Sequence, residues 1–223
     1  MSGRRPISQR IKNAGGNADF LLREMVDGLE AADEAAVSRT LALSPQLAIA
    51  AFQAGATRQS AKKYYLEKLG RYIFAGDTAL HIAAAAYRPD FVRTLIAAGA
   101  DVRARNRRGA EPLHAAAVGN PGSPRWDPGA QAATIAVLIA AGADPNATDK
   151  SGVTPLHRAV RTRCAAAVRA LLDHGADAAL KNGSGSSPLL LAKYDTGRGG
   201  TGSPEAREQQ RQIIELLREY GGK

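Results

Sequence analysis

The chain runs to 223 residues with a single cysteine and 44% hydrophobic residues, enough for one domain or two small ones with a buried core. One thiol excludes an internal disulfide framework, and no run reaches roughly 18 consecutive apolar residues, so no membrane span is expected. A formal charge of +9 implies either an anionic partner or an arginine-rich solvated surface.

Aromatic residues make up only 5% of the chain, and a core of alanine and leucine suits closely packed helices better than a large sheet. Residues 1–16 read as a basic, poorly ordered tail that lacks the apolar run of a signal peptide. Over residues 17–50, "DFLLREMVDGLEAADEAAVSRTLALSPQLA" reads as a helical pair. Residues 51–75 interrupt it with "TRQSAKKYYLEKLGRYIF", in which Ala61, Tyr65, Leu69 and Ile73 recur at helical spacing. The spacing predicts an inserted basic, Tyr-rich helix with its Tyr/Leu side on the body and its lysines in water. The alternative use of the stretch is a basic-aromatic patch of Lys62, Lys63, Lys68 and Arg71 among tyrosines, with Lys62, Lys63 and Tyr64 meeting a partner.

From Gly76 onward a two-part unit recurs. "GDTALHIAA" at Gly76, "GAEPLHAAA" at Gly109, "GVTPLHRAV" at Gly152 and "GSSPLLLAK" at Gly185 stand 33, 43 and 33 residues apart. Thr154 is a good N-cap, with Thr78 and Ser187 in register. Pro112, Pro155 and Pro188 take the first helical position, where a missing N–H costs nothing. Leu80, Leu113, Leu156 and Leu189 then open the apolar face. A second apolar helix follows in each unit ("FVRTLIAAG", "TIAVLIAAG", "AAVRALLDHG", "QIIELLREYG"), ending in a glycine suited to a left-handed cap. Polar stretches such as "ADPNATDKSGV" read as extended fingers, here with a tight turn at Lys150-Ser151-Gly152.

Units of this period and content resemble the ankyrin-repeat family. The resemblance implies an all-α solenoid: a helical capping repeat at 17–50, then about four repeats over 76–223 with loop insertions at 119–130 and 195–204. "VSRTLAL" at Val37 parallels "VRTLIAA" at Val92, which makes the capping pair a repeat without its finger. The resemblance also implies a non-catalytic protein–protein interaction scaffold, binding through fingers and first helices and needing no cofactor. A monomer in the cytoplasm is the expectation.

Departures from the repeat are where a partner would be specified, since the repeat itself only has to stack. The finger "DVRARNRRGAEP" crowds Arg103, Arg105, Arg107 and Arg108 into one hairpin, whereas its counterparts are near neutral. Like charges this close call for an acidic protein partner or for screening water. Sequence-independent nucleic-acid binding through the same basic patches is the second reading. The third concerns the two loops, each with Gly-Ser-Pro, expected on one edge away from the fingers. There Arg125, Trp126, Arg161, Arg163 and Arg198 would form a small-anion or peptide site, unless Trp126 folds back as a structural clamp.

Catalysis and metal binding find little support. His81, His114 and His157 take one position in successive repeats, about 8–10 Å apart, too wide for a shared ion and suited to stapling neighbouring repeats. Cys164 stands about 10.5 Å along a helix from His157, beyond hydrogen-bond reach, and reads as a packing residue. "GRGGTGS" at Gly197 lacks the lysine and the leading strand of a phosphate-binding loop.

Overall fold

The chain is built from short helices, several of them opened by a polar side-chain cap. In the computed structural model, which describes residues 18–123, 126–194 and 203–221, the first pair is α1 (Ala18–Ala31) and α2 (Glu34–Leu43). Asp33 accepts from the Ala36 N–H at 2.8 Å and starts α2. The repeats follow as α3 (Ala79–Ala85) with α4 (Pro89–Ala97), α5 (Pro112–Ala116) with α6 (Pro128–Ala140), α7 (Pro155–Arg161) with α8 (Ala165–Asp173), and α9 (Pro188–Lys193) with α10 (Pro204–Glu219). Thr154 accepts from the His157 N–H and Ser187 from the Leu190 N–H, and the three predicted prolines stand at the first position of α5, α7 and α9. Helices of five to sixteen residues are marginal alone, so packing must supply their stability.

That packing runs in two layers. Helices α1, α3, α5, α7 and α9 lie side by side, and α4, α6, α8 and α10 form the layer behind them. Leu80, Leu113 and Leu156 are buried in the first layer, and Val92, Ile135, Leu138, Val168, Leu171 and Leu217 in the second. Together they belong to one continuous core, which no single pair could close. The architecture is the all-α ankyrin solenoid that the repeat pattern implies.

The fingers are equally regular. Asn106, Asp149 and Asn182 hold the same place in successive fingers, and each side-chain oxygen accepts two backbone N–H groups ahead of it. One main-chain bond joins each finger to the next: Arg107 to the Ala75 carbonyl, Lys150 to Arg108, and Gly183 to Ser151, at 2.8, 3.0 and 2.9 Å. At the turn of the middle finger Gly152 has φ +68°. A Cβ there would lie 2.6 Å from the Gly183 nitrogen, so turn and stacking both require glycine.

Residues 51–75 do not form the helix that their spacing predicts. A 3-10 turn at Ala61–Tyr64 leads into a two-stranded hairpin, β1 (Tyr65–Leu66) and β2 (Arg71–Tyr72), closed at Gly70. The physical reason is an alternation that the four-residue spacing concealed. Leu66 and Ile73 are fully buried, while Tyr65 and Tyr72 face each other on the outer side with ring centroids 4.8 Å apart. Upstream, the Phe52 N–H donates to the Asp77 carbonyl and the Phe52 carbonyl accepts from the Gly76 N–H, and the Ala56 N–H donates to the Ile73 carbonyl. The insertion is therefore laid along the first finger as an added wall.

Candidate binding cleft

Three buried histidines fix the rims of the first-layer helices. His81 Nδ1 accepts from the Thr78 N–H at 3.1 Å, and its Nε2 donates to the Ala110 carbonyl at 3.0 Å. His114 repeats this between Glu111 and Val153, and His157 between Thr154 and Ser186. Because Nδ1 accepts, the proton resides on Nε2 and each ring is neutral. Burial pushes all three imidazoles below their usual range, His114 to about 4. Both ring nitrogens are spent tying one repeat to the next finger.

Between these helices and the fingers lies a cleft of about 1100 Å³. The hairpin forms one wall with Lys68, Arg71, Tyr72 and Phe74. Arg107, Arg108 and Lys150 come from the fingers, Arg158 and Arg161 from α7, and Val118, Gly119, Asn120, Ser123 and Trp126 form the remaining side. Seven basic side chains thus face two carboxylates, Glu111 and Asp149. Asp149 accepts from Arg158 Nη2 at 2.8 Å. Burial alone would push its carboxyl up, but the bonds from Arg158, Ser151 and Val153 outweigh that and hold it below the usual range. Glu111 goes the other way: burial pushes its carboxyl up although Arg105 Nε donates to it at 3.1 Å.

The four finger arginines divide. Arg107 and Arg108 lie over the Phe74 ring at 5.3 and 4.0 Å, and Arg107 also donates to the Ala56 carbonyl. Arg103 instead donates to the Gly142 carbonyl, and Arg105 is held between Glu111 and the Thr148 carbonyl. Only Arg107 and Arg108 line the cleft. Lys62, Lys63 and Tyr64 sit on the 3-10 turn outside it, with the Lys63 ammonium 5.4 Å from the Tyr64 ring.

The loop edge is not the separate surface expected from the sequence. Trp126 and Arg161 line the same cleft as Arg107 and Arg108, because the turn after α5 folds back over its own repeat. Trp126 is half-buried, its Nε1 donating to Gln131 Oε1 at 2.7 Å, and Asp127 is taken by the Ala130 N–H. Arg163 is buried with φ +57° and does not line the cleft. Arg125, Arg198 and most of the 195–204 loop lie outside the described residues, as does the 1–16 tail.

Phe74, Glu111, Lys150 and Arg158 complete the cleft and were not singled out as site residues by sequence. Two had a visible signal. Arg158 stands in "PLHRAV" where the preceding repeats have isoleucine and alanine, and Glu111 in "GAEPLH" replaces a threonine. Arg71 stood out only as part of the basic, Tyr-rich stretch, and its place in the cleft depends on the hairpin.

Among the described residues, no group of three or more His, Cys, Asp or Glu side chains is placed to hold a metal ion, and no helix is long and apolar enough to cross a membrane. Residues 75–107 match the family model described as ankyrin repeat, and residues 138–192 the one described as ankyrin repeats in many copies. No curated protein matches the chain.

Proposed function

Because the chain belongs to the ankyrin-repeat family, whose repeats are generally protein–protein interaction modules, we propose that it is a non-catalytic scaffold whose cleft takes an acidic segment of a partner protein. The observation that carries this reading is the cleft's imbalance of seven basic side chains over two carboxylates. A water-filled cleft of one charge focuses its field and attracts a counter-charged partner. Phe74 and Tyr72 add aromatic area beside the cations, the mixture that anchors interfaces. Arg103, Arg105, Lys62 and Lys63 contribute at most to the rim.

Affinity capture with three forms of the protein tests the reading. Arg108→Glu/Lys150→Glu/Arg161→Glu reverses the cleft, and Lys62→Glu/Lys63→Glu reverses an equal kind of charge outside it. The wild type and the second variant are expected to recover the same nuclease-resistant acidic proteins, and the first to lose them. Equal recovery by all three sinks the cleft as the binding surface. Recovery that disappears on nuclease treatment, together with a shifted labelled duplex at low salt, would transfer the cleft to nucleic acid.

A further inference from the structure

The cationic side chains of the cleft are not spread evenly. Arg71, Arg107, Arg108 and Arg158 line the same cleft, and Arg107 and Arg108 both lie over the Phe74 ring. Arg108 is held below its usual range first by burial and then by repulsion from Arg107 and Arg158, and Arg71, lowered chiefly by burial, is also repelled by Arg158. Two of the nearby carboxylates, Asp77 and Asp149, are already committed, and Glu111 gives one oxygen to Arg105. Asp77 accepts from the Phe74 N–H and from Asn106 Nδ2, both at 2.8 Å, leaving Arg71 Nη2 at 3.8 Å. Asp149 accepts from Arg158 and from two backbone N–H groups. Arg107 and Arg108 pair with no carboxylate among the described residues.

Arg71 carries a buried donor that nothing among the described residues satisfies. Its Nη1 donates to the His81 carbonyl at a long 3.3 Å, and its Nε–H is buried with no acceptor. A planar guanidinium with a spare donor, set beside other guanidinium groups, matches a group with several acceptor oxygens and more than one negative charge. A single carboxylate offers two oxygens and one charge. A phosphate monoester offers three oxygens and close to two charges.

Resting on the reading of the cleft as the recognition surface, we infer that it seats a phosphate monoester on an extended segment of the partner protein, held by Arg71, Arg108 and Arg158. A nucleic-acid strand is the less suitable occupant. Its charges are diesters, one per nucleotide along a line, whereas these donors line a single cleft beside the hairpin.

Arginine Nε–Hε resonances read the site directly. Inorganic phosphate added at constant ionic strength is expected to shift the Arg71 and Arg108 signals saturably and to leave Arg103 unmoved. Arg108→Gln, which removes only an exposed side chain resting on Phe74, should weaken that response at least tenfold, and Arg103→Gln should not. An eight-residue peptide with a central phosphoserine should then bind at least tenfold tighter than phosphate and than its Ser→Glu counterpart. Shifts no larger than those from chloride, or a response surviving in Arg108→Gln, overturn the inference. Phosphate and phosphopeptide binding equally would make this a small-anion site, and tighter binding of an eight-nucleotide single strand would assign it to nucleic acid. If an oligoglutamate peptide binds as tightly as the phosphopeptide, phosphate selection fails while the acidic-partner reading stands. If neither peptide binds, both fail.

Discussion

The histidine staples make the fold sensitive to pH in a calculable direction. His114 is neutral when folded down to about pH 4, against an ordinary value of 6.5, because burial penalises its charged form. Between those values the unfolded chain binds a proton that the folded chain refuses. The stabilisation is therefore complete above about pH 6.5 and is lost as pH falls toward 4, by about 3 kcal/mol for a shift of this size. His81 and His157 are displaced the same way and steepen the trend. Urea midpoints measured from pH 7.5 to 5, above the carboxylate range, should fall steadily. His114→Gln, less stable throughout, should show a shallower slope, and an unchanged slope would remove His114 from the account. Arg107 makes a second residue-scale case. From the sequence, Arg107→Ala is expected to be near neutral for stability. With its hydrogen bond to Ala56 and its position over Phe74, the change should instead cost about 1 kcal/mol. Amide exchange at Ala56 and Ile73 should quicken, since Arg107 clamps the insertion there.

Among the elements, the helices were legible in the sequence and the insertion was not. A repeat advertises its leucine four times over and its cap and proline three times each, so any one ambiguous position is corrected by its equivalents. Thr154, Pro155, Leu156 and His157 do in the structure what their types require. Residues 51–75 occur once, with no equivalent to check against. Their tyrosines and leucines satisfy a four-residue spacing and a hairpin alternation equally, and the pairing with the first finger decided between them. The turn after α5 was misplaced for a related reason, since loop sequence does not say which way a loop folds. Gly119 makes that folding possible: a Cβ there would lie 2.4 Å from Cys164 Sγ and 2.9 Å from Trp126 Nε1. Gly119→Ala should cost about 1–3 kcal/mol by overpacking and push Trp126 outward. A red shift of emission from the single tryptophan, with a lower melting temperature, is the expected record. Unchanged emission would mean that the loop relaxes elsewhere.

At the scale of the whole molecule, the solenoid supplies a scaffold and the departures from it supply the chemistry. Stacking is satisfied by leucines and histidines that recur, whereas Arg71, Arg107, Arg108 and Arg158 do not recur and converge on one cleft. That convergence was only half legible. The arginine-rich finger and Trp126 stood out as exceptions, but the sequence gives no reason to join them, and the fold does so through the hairpin wall and α7. The most direct measurement is the anisotropy of a fluorescein-labelled oligoglutamate peptide titrated with wild type, the Arg108→Glu/Lys150→Glu/Arg161→Glu variant and the Lys62→Glu/Lys63→Glu variant at low salt. Binding should be lost at least tenfold in the cleft variant and retained within about twofold in the other. Equal affinity across the three proteins, or equal loss in both variants, would contradict a cleft-centred site and leave only a diffuse basic surface.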